Sequence, residues 1–150
     1  VIIETSSWGI LEIQEDQIYV FNKGIPGFED EKEFAIIPYE NSPFGIMQSM
    51  SEPGLSFLLA DPFLFEPEYE FELPDHETTE LDIESSVWVR CIVTLQSSIE
   101  ESSLNLLAPI VINPDNNNCK QIVLHQSGYQ TKHKMKTLSA AGQLFAKGGE

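Results

Sequence analysis

Short runs of Val, Ile, Leu and Phe recur along this chain, each closed by Gly, Pro, Asn or Asp, the punctuation expected of an all-β protein. The runs predict strands over residues 10–14, 17–21, 33–38, 44–49, 55–60, 69–73, 87–96, 104–107, 110–113, 121–125 and 129–135. The first two, separated by Glu15 and Asp16, are expected to form a hairpin with a tight acidic turn. Residues 75–84 break the pattern: they follow Pro74, open with acids that suit a helix N-terminus and carry Leu81 as an inward anchor, which predicts a short helix. A helical turn is also expected at residues 31–34. The fold class that follows is mostly β, an antiparallel barrel-like single domain with one or two short helices. No repeat or Gly/Ser/Pro-rich linker divides the chain, so residues 1–138 read as one β domain. Residues 139–150, small and polar apart from Leu144 and Phe145, read as a flexible or cloning-derived tail.

The most unusual pattern lies between Asp61 and Glu84, where ten carboxylates occur without a Lys or Arg. Glu66, Glu68, Glu70 and Glu72 share one parity, and Phe65, Tyr69, Phe71 and Leu73 the other. In a strand, successive side chains point to opposite faces, so the pattern predicts a ridge of negative charge backed by a buried aromatic row. Like charges so placed repel by about 0.2–1 kcal/mol where neighbours come close. The ridge is either a well-solvated outer face or a surface kept acidic for a purpose, and periodicity alone leaves both readings open.

Composition narrows the choice. The net charge of −16 opposes direct binding to nucleic acid or to an anionic membrane surface and favours a cationic protein partner. No stretch is long and apolar enough to span a membrane, and residues 1–12 lack a basic region followed by an apolar core, so the expected location is the cytoplasm. Cys91, inside an apolar run, and Cys119, after an asparagine-rich turn, read as reduced thiols. His76, His125 and His133 are too scattered for a zinc pattern, although His125 and His133 could face each other across a turn. No serine sits in a Gly-x-Ser-x-Gly elbow, and Gly24, Gly27 and Gly45 lack the lysine of a phosphate loop. No catalytic residue, cofactor or metal is implied. The charge is polarised: the middle is acidic, while Lys132, Lys134 and Lys136 cluster with His133 near the end.

Three turns stand out as scaffold. Gly24-Ile25-Pro26-Gly27-Phe28-Glu29 sets a fixed-φ proline between glycines and is expected to press Ile25 and Phe28 inward. In Asp61-Pro62 the proline pushes Asp61 into extended geometry and ends a strand. Pro109 separates two apolar strands and predicts a bend or crossover. Taken in order, Gly24 to Glu29, Gln48-Ser49 with Glu52-Pro53, Leu55, Phe57, Asp61-Pro62, Tyr69, Val93-Thr94, Asn105-Leu106, Ala108 to Asn113 and Gln121 resemble the successive motifs of the flagellar assembly factor FliW family, from the first hairpin to about Met135. One departure is Met47, where the family pattern would have a leucine.

The resemblance implies a small, mostly β, barrel-like protein without catalysis of its own. Similar proteins switch between partners: they bind flagellin in the cytoplasm and, once flagellin is exported, bind and inhibit the RNA-binding translational repressor CsrA, docking beside the RNA site of the CsrA dimer. On that reading Glu66, Glu68, Glu70, Glu72, Asp75, Glu77 and Glu80 form the surface that opposes RNA. Phe44, Ile46, Met47 and Phe63 are candidate apolar anchors, with core packing as the alternative for each. Two other functions are carried alongside: an acidic secretion chaperone without an RNA-regulator partner, and a hydrolase with a carboxylate pair in a barrel mouth.

Overall fold

The structure is a computed structural model that describes residues 1–125 and 127–135; the tail expected at residues 139–150 lies outside the described residues. Among the described residues eleven strands form: β1 (Ile2–Thr5), β2 (Gly9–Glu12), β3 (Ile18–Phe21), β4 (Glu33–Pro38), β5 (Phe44–Ser49), β6 (Ser56–Ala60), β7 (Trp88–Thr94), β8 (Ser103–Leu104), β9 (Ile110–Asn113), β10 (Asn118–Gln121) and β11 (His133–Lys134). The only α-helix among the described residues is α1 (Asp75–Glu80), and single 3₁₀ turns occur at Glu15–Gln17 and Pro62–Leu64.

Strands β7, β6, β5, β4, β3, β10 and β9 follow one another, and pairing of β9 with β7 closes them into a seven-stranded barrel. β8 and β11 extend from β7 as a side branch. The mostly β, barrel-like architecture is therefore as the strand pattern predicts, with one exception to its antiparallel character: β10 runs parallel to β3. Two apolar layers explain the sequence. One parity of each barrel strand fills the interior with Tyr19, Phe21, Phe34, Met47, Leu59, Ile110, Ile112 and Cys119. The other parity of β7 and β9, Val89, Cys91, Val93 and Val111, packs outward beneath Phe65, Tyr69, Leu81, Leu106, Ile122, Leu124 and Met135. Strand β9 is buried on both faces, so it reads as an unbroken apolar run rather than an alternating one. The two thiols fall one in each layer, both unpaired and buried. Burial pushes the Cys91 thiol up to about 12 and raises that of Cys119 as well.

Several expected elements differ. The hairpin is not residues 10–14 with 17–21: β2 pairs with the unexpected strand β1, and the acidic residues form the 3₁₀ turn that leads into the barrel. Gly9, at φ +71°, permits the tight return, while Thr5 Oγ1 accepts from Trp8 N–H and donates to Gly9 O. Residues 31–34 make no helical turn; the chain bends one step earlier, with Glu31 N–H donating to Phe28 O, and enters β4. In the glycine turn Ile25 is buried, but Phe28 is exposed and meets Phe57 edge to face. Gly24 is required there, since it has φ +66° and a Cβ would stand 2.5 Å from Glu29 O. The strands expected at 104–107 and 129–135 are reduced to the two-residue β8 and β11, and in place of the one expected at 121–125 the strand runs earlier, as β10, ending at Gln121. At Pro109 the expected bend forms, and Asn105 Oδ1 accepts from Ala108 N–H within it.

Candidate functional site

The acidic segment begins where β6 ends. Asp61 is extended, its Oδ1 accepts from Phe63 N–H, and Pro62 opens the 3₁₀ turn. Phe65 and Tyr69 are buried and Phe71 and Leu73 half-buried, with Glu68, Glu70 and Glu72 exposed between them, but Pro67 breaks the alternation by being exposed and residues 69–73 form no strand. The backbone is held by a side chain instead of a ladder: Tyr129 Oη accepts from Glu70 N–H at 3.2 Å and donates to Glu70 O at 3.1 Å. Pro67 can donate to no neighbour, which removes one rung from any ladder here. Tyr69 is the central pin. It is 2% exposed, its hydroxyl donates to Leu106 O at 2.7 Å, and its ring meets that of Tyr129 edge to face at 4.7 Å. Burial, and next the neighbouring Cys91, raise the Tyr69 hydroxyl far above its ordinary range, so it stays a donor.

The helix is shorter than expected, ending at Glu80 instead of 84, because the chain turns at Asp82 with φ +54°. Asn113 Nδ2 donates to Leu81 O and Asp82 O, and Asn116 Nδ2 also reaches Leu81 O, so the β9–β10 turn caps the helix end.

The seven carboxylates of the predicted ridge divide into two groups. Glu77 is only 7% exposed and pairs with Lys120 Nζ at 2.6 Å. Glu80 pairs with the same ammonium at 3.2 Å and with Lys23 at 3.8 Å. Burial works to lower the Lys120 pKa, but the hydrogen bonds its ammonium donates to Glu77 and Glu80 outweigh it and the net shift is upward. Glu66 is half-buried against His133 Nε2 at 3.2 Å. These three do not stand as free charges on one ridge. Glu68, Glu70, Glu72 and Asp75 are exposed and have no ion-pair partner among the described residues.

The candidate anchors also divide. Met47 is fully enclosed in the barrel and Ile46 is buried, so neither presents a surface. Phe44 is half-buried, stacked on Phe65 at 6.2 Å. Phe63 is 42% exposed, directly before the acidic segment. His133 does not face a metal partner; among the described residues no group of three His, Cys, Asp or Glu side chains is placed to hold a metal ion. No helix of the described residues is long and apolar enough to cross a membrane.

The sequence reading missed Lys120 as a neutralising partner and His133 as a contact, since they lie 43 and 67 residues from Glu77 and Glu66. It also missed the open end of the barrel, where Tyr19, Ile36, Phe44, Trp88, Arg90 and Ile112 surround a cavity of about 810 Å³. The signal was present: Arg90 is the one arginine of the chain and shares the parity of Trp88 and Ile92 within an apolar strand. Asp16 and Asp61 also border this cavity, but Asp16 lies in an exposed turn and Asp61 caps Phe63, so neither is set in the apolar surround a catalytic carboxylate pair requires.

Comparison with known proteins bears on this arrangement as a whole. The family model described as "FliW protein" matches residues 2–135. A flagellar assembly factor FliW of Bacillus pumilus (strain SAFR-032) is 43% identical over 142 residues, covering 93% of this chain and 99% of the relative. That of Bacillus subtilis (strain 168) is 45% identical over 135 residues, covering 88% and 94%. A solved crystal structure of the flagellar assembly factor FliW superposes with a TM-score of 0.83 at 39% identity, covering 90% of this chain and 96% of the other. These relatives are named for assembly rather than for a reaction.

Proposed function

We propose, for a chain that belongs to the FliW family, that it is a cytoplasmic regulatory protein which binds flagellin and, when released, binds and inhibits the RNA-binding repressor CsrA. The observation that carries the CsrA half is the row of exposed carboxylates Glu68, Glu70, Glu72 and Asp75, unpaired among the described residues and fixed to the barrel by Tyr69 and Tyr129. An RNA-binding face attracts phosphates through its basic side chains and releases counterions when they bind. A negative row held rigidly beside such a face repels the RNA backbone across about 8–10 Å, the screening length at physiological salt. It can also engage the arginines and lysines that the phosphates need. Its position beside the RNA site, rather than in it, is enough for inhibition. Phe63, exposed at the start of the segment, is the apolar residue best placed to add affinity next to the charges.

Rigidity matters to this reading. A charge on a loose loop loses conformational entropy whenever it is held against a partner, whereas these charges are already positioned by their buried neighbours.

Titration of the protein against purified CsrA dimer and against flagellin, separately and in competition, tests the proposal. Saturable binding to each, displacement of CsrA by flagellin and a steep weakening of the CsrA complex with salt are expected. Replacing Glu68, Glu70 and Glu72 by Gln and Asp75 by Asn should weaken RNA displacement by about tenfold or more, since each 1.4 kcal/mol of lost repulsion or attraction is a factor of ten. Unchanged displacement by this variant would sink the role given to the carboxylates. A protein that bound flagellin but never CsrA would instead be an acidic secretion chaperone.

A further inference from the structure

The open end of the barrel is chemically unlike the rest of the surface. Arg90 pairs with Ile110 across the β7–β9 ladder and Trp88 with Ile112, so both side chains share the parity of the barrel interior. On β5 the interior position nearest this end is Gly45, which puts no side chain into the space. The resulting cavity of about 810 Å³ falls within the ~300–1,000 Å³ of ordinary ligand pockets. Its wall includes the Tyr19, Phe44 and Trp88 rings and the aliphatic Ile36 and Ile112.

The guanidinium inside it is under-used. Arg90 donates from Nη1 to its neighbour's carbonyl, Val89 O, at 2.8 Å, and makes no other hydrogen bond or ion pair with the described residues. That is unexpected in a chain with 24 Asp and Glu. Half-burying a guanidinium without an ion pair costs free energy, and neither Asp16 nor Asp61, which border the same cavity, comes within ion-pair distance to relieve it. The Tyr19 hydroxyl, which also borders the cavity, makes no hydrogen bond with the described residues either. Arg90 and Tyr19 therefore bring donors to a space walled in part by rings and aliphatic side chains and bordered by Asp16 and Asp61, with no hydrogen bond or ion pair joining either carboxylate to them among the described residues.

We propose that this barrel mouth binds a carboxylate carried on an apolar group, with Arg90 as its anchor and the Tyr19 hydroxyl as a second donor. The planar fork of a guanidinium matches a carboxylate with two parallel hydrogen bonds. A phosphate dianion is disfavoured, because the field of a chain with net charge −16, with Asp16 and Asp61 at this cavity, penalises each added negative charge. The aromatic walls supply the burial that a single ion pair in partly solvated surroundings does not. The carboxylate can come from an acidic side chain flanked by apolar residues in a partner peptide or from a free small acid. This inference goes beyond the partner-switch reading and does not depend on it.

One arginine gives one Nε–H cross-peak in a ¹⁵N spectrum, so the test has a direct reporter. The full chain is titrated with 3-phenylpropionate, with its neutral amide, with an acetylated Leu-Glu-Phe amide peptide and with inorganic phosphate. Saturable movement of the arginine and Trp88 indole signals with a carboxylate, and affinity for the amide lower by about tenfold or more, is the expected result. The Arg90→Lys variant, its fold checked by the unchanged remainder of the spectrum, should bind at least several-fold more weakly because the fork is lost. Tighter binding of the peptide than of phenylpropionate identifies a peptide as the source; the reverse identifies a free acid. Equal response to acid and amide, shifts that never saturate, or phosphate binding as tight as the carboxylates would overturn the proposal. No partner protein takes part, so failure here is separable from failure of the flagellin and CsrA reading.

Discussion

Within one acidic segment, Glu77 and Glu80 are neutralised at home by Lys120 and Glu66 is held against His133, while Glu68, Glu70, Glu72 and Asp75 are displayed. The residues are nearly identical in chemistry and neighbours in sequence, yet their energetic roles are opposite. The paired ones fasten the segment to β10 and β11, and removing a partner exposes the cost of an uncompensated charge. The displayed ones hold nothing together, so they are available to a binding partner. A count of carboxylates therefore overstates the charge a surface presents.

Breaking the paired half should have the largest effect. Lys120→Ala leaves Glu77 almost fully buried without its counter-ion, and a loss of about 3 kcal/mol in urea unfolding is expected, the lower end for a broken buried pair because Lys120 is partly solvated. Adding Glu77→Gln should recover part of that loss, which a double-mutant cycle would register as coupling. Next, Tyr69→Phe removes the hydroxyl that satisfies Leu106 O and should cost about 1–2 kcal/mol. Faster amide exchange confined to residues 65–73 would show that the pin holds the segment specifically. The displayed half sharpens the contrast from the other side: the fourfold carboxamide variant of Glu68, Glu70, Glu72 and Asp75 should unfold within about 0.5 kcal/mol of the parent. A large destabilisation would mean that these charges are structural after all.

The smallest expected effect comes from acid elsewhere on the barrel. Glu31 accepts from Ser51 and Ser49, and those hydrogen bonds hold its carboxyl below the usual carboxylate range. Its folded pKa is thus lower than its unfolded one, so its contribution is complete above the ordinary carboxylate pKa and is lost as the pH falls through the lowered folded value. Ser51→Ala should lower stability slightly at neutral pH and flatten the acid limb, with the difference from the parent vanishing as the pH falls below the lowered folded value, as thermal unfolding across that range would record.

Much of this was legible in the chain. The alternation from Phe65 to Leu73 gave the side that turns inward, with Phe65 and Tyr69 buried and Phe71 and Leu73 half-buried, because that depends only on an extended backbone against a core. It misled on hydrogen bonding, because a period of two does not say what the backbone pairs with, and here the partner is Tyr129. The barrel strands were readable from their apolar runs, whereas β1 was not, since Ile2 is 71% exposed and Ile2 to Thr5 carries little apolar signal for burial. The parallel β3–β10 pair depends on closing the chain over about a hundred residues, which no local pattern encodes. Lys120 looked like any solvated lysine until the fold brought it beside Glu77. Met47, the departure from the family pattern, turned out to be filling the barrel.

The two buried thiols give the molecule a pair of internal clocks. Cys119 looks into the barrel and Cys91 into the layer beneath the acidic segment, and in each the reactive thiolate is suppressed by burial. Alkylation can proceed only when the corresponding layer opens. The ratio of the two modification rates therefore times the lifting of the acidic segment separately from rupture of the barrel, and a bound partner that clamps the segment would slow one clock without touching the other.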